Sequence, residues 1–212
     1  MLLYKLKKYF VIRHKIKMFR SKATLKGSKY IFGVKSGISL SDGSLPSDII
    51  IDDNVWIHGI LQSQNGGKII MEKYTKIGVG TLIRCVNKVV IGAYTAIADN
   101  VAISDNNNHP VSPEYRLYMR MQPENDDSRK WKHSSNAPII IGQNCWIGQN
   151  VRIQRGVTIG DNSVIAANSV VTKSVPANCI AGGNPAKILK TDIDQIEPPT
   201  TCSGFNEWRK KQ

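Results

Sequence analysis

The first thirty residues contain no aspartate or glutamate, although ten basic residues stand among them: Lys5, Lys7, Lys8, Arg13, Lys15, Lys17, Arg20, Lys22, Lys26 and Lys29. The net charge of +13 less those ten leaves +3 for the other 182 residues, so the basic excess belongs to an N-terminal arm and not to the body of the chain. No apolar run approaches the ~20 residues that a bilayer span requires. Charges at Lys5, Lys7 and Lys8 interrupt the leading apolar stretch before it reaches the length of a signal-peptide core, and a cytoplasmic protein is the expectation. Cysteine is scarce. Cys85, Cys145, Cys179 and Cys202 have no CxxC spacing and no histidine pattern nearby, which speaks against a zinc site or a disulfide framework. The composition is not that of a disordered chain, and 212 residues suit one domain.

What the chain does have is an aliphatic residue at every sixth position: Ile141, Ile147, Ile153, Ile159, Ile165 and Val171, with Gly142, Gly148 and Gly160 directly behind three of them. An α-helix repeats every 3.6 residues and a strand every two, so neither places one apolar residue per six on a common face. A coil with three short sides does. The units from Ile141 to Pro176 read IGQNCW, IGQNVR, IQRGVT, IGDNSV, IAANSV and VTKSVP. Their fifth positions are small: Cys145, Val151, Val157, Ser163, Ser169 and Val175. In a solenoid the first residue must fill the axis and the fifth must fit a crowded corner, which accounts for both columns. The expected fold is therefore all-β, a parallel β-helix of hexapeptide repeats.

The same phase continues upstream through Ile51 and Ile57, then Met71, Ile77 and Ile83, then Ile91, Ile97 and Ile103. The gaps from 57 to 71, 83 to 91 and 103 to 141 are each a multiple of six plus two. We read the first two as small bulges and the third as a loop extruded between about 105 and 138, where chemistry is to be sought because long loops in compact domains are functional or disordered. The domain reading is an arm at 1–30, a solenoid at 31–190 and a tail at 191–212. In the arm, Leu2, Leu3, Leu6, Tyr9, Phe10, Ile16 and Phe19 fall roughly at helical spacing among the cations. That pattern predicts a basic amphipathic helix whose residues 1–22 either contact an anionic membrane surface or pack on the open end of the solenoid or on a sister subunit; nucleic acid is the weaker partner and is not expected.

The hexapeptide units, the NHP of Asn108–Pro110, the CWIGQNV of Cys145–Val151 and the AGGNPAKILK of Ala181–Lys190 resemble the left-handed β-helix acyltransferases. More narrowly they are similar to the sugar O-acetyltransferases, including maltose and galactoside acetyltransferases and those that decorate capsule and lipopolysaccharide. The resemblance covers about residues 50–190. It implies left-handed coiling, acetyl-CoA as cosubstrate with no metal, a saccharide acceptor, and a homotrimer whose active sites lie between neighbouring subunits.

Acetyl transfer to a hydroxyl requires a base, and a neutral imidazole, with a reference pKa of about 6.5, suits that task. Of the four histidines, His14 lies in the arm, His58 fills a second repeat slot, and His133 sits in the extruded segment. His109 matches the family's general base in position and neighbours. The nearest carboxylate, Asp105, is a candidate to orient it, with Asn106, Asn107 or a backbone carbonyl as alternatives. Trp146 matches a tryptophan placed by the family on the cofactor-facing coil, where donors meet the negative oxygen of the acyl-transfer step. Gly148, Ala166 and Ala167 match positions that let backbone approach pantetheine, and Thr172, Lys173, Lys187 and Lys190 match those near the nucleotide end, where lysine suits phosphate.

One departure bears on the acceptor. Galactoside-type members carry an asparagine where this chain has Gly80, and the segment Pro113–Lys132, with Tyr115, Arg116, Tyr118, Arg120, Arg129 and Trp131, differs from theirs. Free maltose or galactoside is therefore not the expected acceptor, whereas a surface saccharide or its precursor is. Chloramphenicol- or streptogramin-type antibiotics, an amino sugar, and a non-catalytic β-helix scaffold are the alternatives.

Overall fold

Branched residues favour extended backbone, and the first residue of each hexad can be buried only if successive hexads turn back on one another. The computed structural model describes residues 2–211, with side chains described from residue 10 onward. Short strands stack into three sheets. The first face runs through six strands from Thr24–Leu25 to Thr158–Ile159, the second through eight from Tyr30–Phe32 to Ala186–Lys190, and the third through six from Gly37–Ser41 to Val170–Val171. Every pairing is parallel except the last, where Ile180–Gly183 and Ala186–Lys190 run antiparallel. The chain visits the faces in the same order at each turn and forms a left-handed parallel β-helix of triangular section.

The hexad aliphatics form the axis. From Ile51 and Ile57 through Ile103 to Ile141 and Val171, none exceeds 2 % exposure, and each such side chain contributes about 1.5–3 kcal/mol by leaving water. The corner between the first and second faces carries Asn54, Tyr74, Tyr94, Asn144, Asn162 and Asn178, all left-handed, with φ from 53° to 63°. Asparagine tolerates that region because its short amide bonds locally. Here the amides also join between coils: Asn144 Nδ2 donates to Asn162 Oδ1 at 3.0 Å and Asn162 Nδ2 to Asn178 Oδ1 at 2.8 Å.

The two shorter gaps in the repeat are not bulges. The third-face strands lengthen to Ile60–Gln64 and Leu82–Cys85, and Ser63 and Cys85 become additional buried residues paired in register, so the extra residues stack on one another at the corner between the third and first faces. The long insertion leaves from that same corner, after Ala102–Ser104, and returns at Ile139–Ile141. A bridge between Asn106 and Asn136, with Ala137 N–H donating to the Asp105 carbonyl at 2.9 Å, closes its base.

The sheet begins at Thr24, which pairs with Ile50, so the first coil starts before the boundary drawn at residue 30. Ahead of it lies helix α1, Leu2–Lys22. The side chains of Leu2, Leu3, Leu6 and Tyr9, expected on the apolar side of the arm, lie outside the described residues, as does Met1 altogether. Over its whole length α1 does not keep apolar residues on one side and basic ones on the other, which departs from a simple amphipathic helix. Phe10 is 63 % exposed, whereas Phe19 is wholly buried and stacks on Phe32 at 4.1 Å. Ile16 and Met18 pack against the core, and Lys15 Nζ donates to the Ser36 carbonyl. The C-terminal half of α1 thus caps the first coil. Among the described residues no helix is long and apolar enough to cross a membrane.

Candidate active site

The extruded segment is ordered by its own side chains. Ser112 Oγ accepts from Tyr115 N–H and caps helix α2, Pro113–Met121, whose Pro113 sits where a missing N–H costs nothing and whose Met119 is fully buried. Two single-turn helices follow, Asp127–Arg129 and Trp131–His133. Asp127 gathers Lys132 at 2.9 Å, His133 Nε2 at 2.7 Å and Lys130 at 3.0 Å, and these donors hold its carboxyl far below the usual carboxylate range. Lys130 also reaches Asp42 at 2.8 Å, and Trp131 N–H donates to Gln64 Oε1 at 2.7 Å, so the segment is fastened back onto the N-terminal coils.

His109 lies at the entrance to this segment, half-buried, with its N–H donating to the Asn107 carbonyl at 2.7 Å. Arg155 Nε donates to Asn107 Oδ1 at 3.0 Å and ties the approach to the adjacent corner. Burial, and then the positive charges of Arg120 and Arg129, lower the His109 pKa below its ordinary value. The imidazole is therefore neutral at neutral pH, the form that accepts a proton. Its Nδ1 is buried and has no hydrogen-bond partner among the described residues. Beside it opens a cavity of about 490 Å³ lined by Pro110, Ser112, Glu114, Tyr115, Tyr118 and His133. Of the segment's arginines, Arg116 and Arg129 donate to backbone carbonyls of Val111, Pro123 and Gln122, so they also hold the loop's shape.

Asp105 does not orient His109. It is wholly buried, and its carboxylate accepts from the backbone N–H groups of Val86 (3.0 Å) and Asn87 (2.8 Å), from Asn106 Nδ2 (3.0 Å) and from the Cys85 thiol (3.1 Å). Burial and the adjacent carboxylate push the Cys85 thiol pKa up, so it stays protonated and donates. Asp105 is the keystone of the corner from which the loop departs. Sequence spacing suggested an orienting role because it ranks neighbours by distance along the chain, while the amides of Val86 and Asn87 lie one coil earlier.

Trp146 stands on the outer surface of the second face, 60 % exposed, between Ala96 and Val164 in register. The corner that releases the loop joins the third and first faces, so in a triangular section Trp146 lies on the opposite side from His109. A single chain does not bring them together. The residues matched to the cofactor also divide. Gly148, Ala166 and Ala167 line the corner between the second and third faces, where a Cβ on Gly148 would meet Ala167 N at 2.6 Å, so only glycine permits that coil spacing. Lys187, opposite Gly182 in the closing hairpin, and Lys190 are exposed at the end of the second face. Thr172 and Lys173 are exposed at the loop-bearing corner. His58 is half-buried at the corner after the second face and His14 is exposed on α1. The Asp127 cluster was missed, although its DDSRKWKH run carried the signal: an acidic pair followed within six residues by three cations and a histidine.

A family model described as the hexapeptide repeat of succinyl-transferase matches residues 138–173. The polysialic acid O-acetyltransferase of Escherichia coli O1:K1 / APEC is 36 % identical over 167 residues, which is 74 % of this chain and 50 % of the relative, so the match spans half of that protein. A Dictyostelium discoideum protein, whose acetyltransferase name is itself provisional, is 35 % identical over 130 residues, 61 % of this chain and 68 % of its own. Among solved structures, a variant of the N-acyltransferase AntD from Bacillus cereus, in complex with dTDP-4-amino-4,6-dideoxyglucose and coenzyme A, superposes with a TM-score of 0.65 at 18 % identity. It covers 94 % of this chain and 97 % of that one, a likeness of fold.

Proposed function

The chain belongs to the hexapeptide-repeat acetyltransferase family, and from that premise we propose that it is an O-acetyltransferase that uses acetyl-CoA to modify a hydroxyl of a bacterial surface saccharide or its precursor. The observation that carries this reading is His109: a desolvated imidazole held neutral by burial and by Arg120 and Arg129, next in the chain to Pro110, which lines a cavity rimmed by hydroxyls and aromatic rings. Acetyl-CoA supplies an acetyl group already activated as a thioester. The chain's residues fit it: a low-relief run of Gly148, Ala166 and Ala167 along one corner, followed by the exposed amines of Lys187 and Lys190.

In this reading His109 Nε2 takes the proton of the acceptor hydroxyl as that oxygen attacks, and returns it to the departing thiolate. Trp146 and the amides beside it provide donors toward the oxygen that gains charge. Because Trp146 and His109 occupy opposite sides of one coil stack, the complete site takes His109 from one subunit and Trp146 from the next. The partnerless His109 Nδ1 supports the same assembly, since a buried ring nitrogen needs an acceptor from elsewhere. A closed ring of three copies meets this need, as in the family.

The test is acceptor-dependent release of CoA thiol across acidic and neutral bacterial oligosaccharides, amino sugars and acetylatable antibiotics. The proposal expects release with acidic oligosaccharides; release with antibiotics alone, or with no acceptor class while acetyl-CoA fails to bind, would overturn it. For the arm, the sequence ahead of the Phe19 cap carries Lys5, Lys7 and Lys8, a charge pattern suited to anionic lipid. Deleting residues 2–10 is expected to abolish flotation with anionic vesicles and spare the thermal midpoint; loss of the midpoint instead would make the whole arm a cap.

A further inference from the structure

The second face carries a groove that the acyl-transfer chemistry does not use. Outward-facing residues follow one another in register up this face: Trp56 beside Lys76, Lys76 beside Ala96, and Ala96 beside Trp146. Between the two exposed tryptophans, the small Ala96 leaves a depression of about 350 Å³ lined by Asn54, Trp56, Tyr74, Thr75, Lys76 and Ala96. Neighbouring strands lie about 4.8 Å apart, so the row from Trp56 to Trp146 spans roughly 14 Å.

Three observations say what this depression is built to hold. First, the corner row that is asparagine in four of its coils becomes Tyr74 and Tyr94, both left-handed at φ 61° and 63°. A bulky residue in that region is an outlier, yet the two rings lie half-exposed and stacked, 5.3 Å apart and 8° from parallel. Their exposed aromatic surface adjoins Trp56, giving flat apolar faces of the kind on which the C–H face of a sugar ring rests. Second, Lys76 Nζ hangs over the Trp56 ring at 5.2 Å and Lys73 Nζ over Tyr94 at 5.9 Å. The carboxylates nearby are already engaged: Asp53 accepts through Oδ1 from the N–H groups of Ser28 and Lys29 and through Oδ2 from Asn54 Nδ2, which leaves Asn54 Oδ1 as its groove acceptor, and Glu72 accepts from the N–H of Ala93. Third, Thr75 lines the groove, is 1 % exposed, and its Oγ1 has no hydrogen-bond partner among the described residues. The equivalent hydroxyl one coil on, Thr95 Oγ1, donates to the Gly142 carbonyl at 2.8 Å and accepts from Cys145 N–H at 3.0 Å. A buried hydroxyl left unmatched in a row where its neighbour is satisfied twice needs a partner from outside the chain.

We propose that this groove is a subsite for a negatively charged sugar ring of an extended saccharide, with Trp56 and Tyr74 as the stacking surface, Lys76 for the carboxylate or phosphate, and Thr75 and Asn54 for ring hydroxyls. The subsite rests on the proposed function only in taking that saccharide to be the acceptor, for the same strand row leads from Trp56 past Ala96 to Trp146. Binding is measurable without turnover.

The experiment is calorimetric titration of the full chain with an oligomer of sialic acid and, separately, with a neutral maltooligosaccharide. Wild type binds the acidic oligomer and not the neutral one. Tyr74→Asn, which restores the residue that the corner row otherwise carries, Trp56→Ala and Lys76→Gln each weaken it at least tenfold. Equal binding of both sugars, absence of binding by wild type, or wild-type affinity in all three groove variants would overturn the subsite. So would a change of oligomeric state in Trp56→Ala or Tyr74→Asn, because the groove would then be a contact between copies. Wild-type acetyl transfer with groove variants unaltered would sink the subsite and leave the proposed function standing; groove-dependent binding with no acetyl transfer would do the reverse.

Discussion

His109→Ala lowers kcat for acetyl transfer by about 10²–10⁴-fold, the range that a positioned general base supplies, and leaves the thermal midpoint and acetyl-CoA affinity unchanged. The side chain is half-buried and its Nδ1 makes no hydrogen bond among the described residues, so its removal disturbs little of the fold. The pH profile of the intact enzyme provides an independent sign. His109 works in its neutral form, so kcat/KM falls as the imidazole gains a proton, and burial with Arg120 and Arg129 places that fall below the ordinary imidazole value. Arg120→Gln removes one of the opposing charges, favours the imidazolium and moves the acid limb to higher pH. A limb that stays in place, or near-normal rates in His109→Ala, would remove His109 from the chemistry.

Asp105→Ala costs about 3–5 kcal/mol of stability, because it leaves the buried N–H groups of Val86 and Asn87 without an acceptor, at about 1–3 kcal/mol each, and opens a cavity at the loop's base. For a chain of this size that corresponds to a fall of about 10 °C in Tm. Asp105→Asn retains one accepting oxygen and loses less. Activity in both falls through loosening of the loop, and the pH limb of the activity that remains does not move. Intact stability combined with a displaced limb would instead make Asp105 the partner of His109.

The two residues mark where the sequence was legible and where it was not. The axis could be read directly, since burial of one aliphatic per six is a local repeat and Ile141 through Val171 are all buried as that repeat requires. His109 drew attention because it stands where the repeat breaks. Asp105 was misread because its partners are set by coil stacking, which joins residues about twenty apart. For the same reason nothing in the repeat sets Tyr74 and Tyr94 apart, and only their stacking in space distinguishes them. The arm was legible in part: its apolar residues are at helical spacing and Phe19 closes the first coil as the capping alternative expects, but Phe10 is exposed, so the helix serves the core with only part of its length.

The central claim is that each site pairs His109 of one chain with Trp146 of its neighbour. Complementation tests it most directly: His109→Ala and Trp146→Ala chains, each nearly inactive alone, are dissociated, mixed in equal amounts and reassembled. Random reassembly into closed rings makes one intact residue of each kind meet at about a quarter of the interfaces, so the mixture recovers about a quarter of wild-type acetyl transfer. A mixture as inactive as its parents, with reassembly demonstrated by mass, would contradict the shared site and confine the chemistry to a single chain.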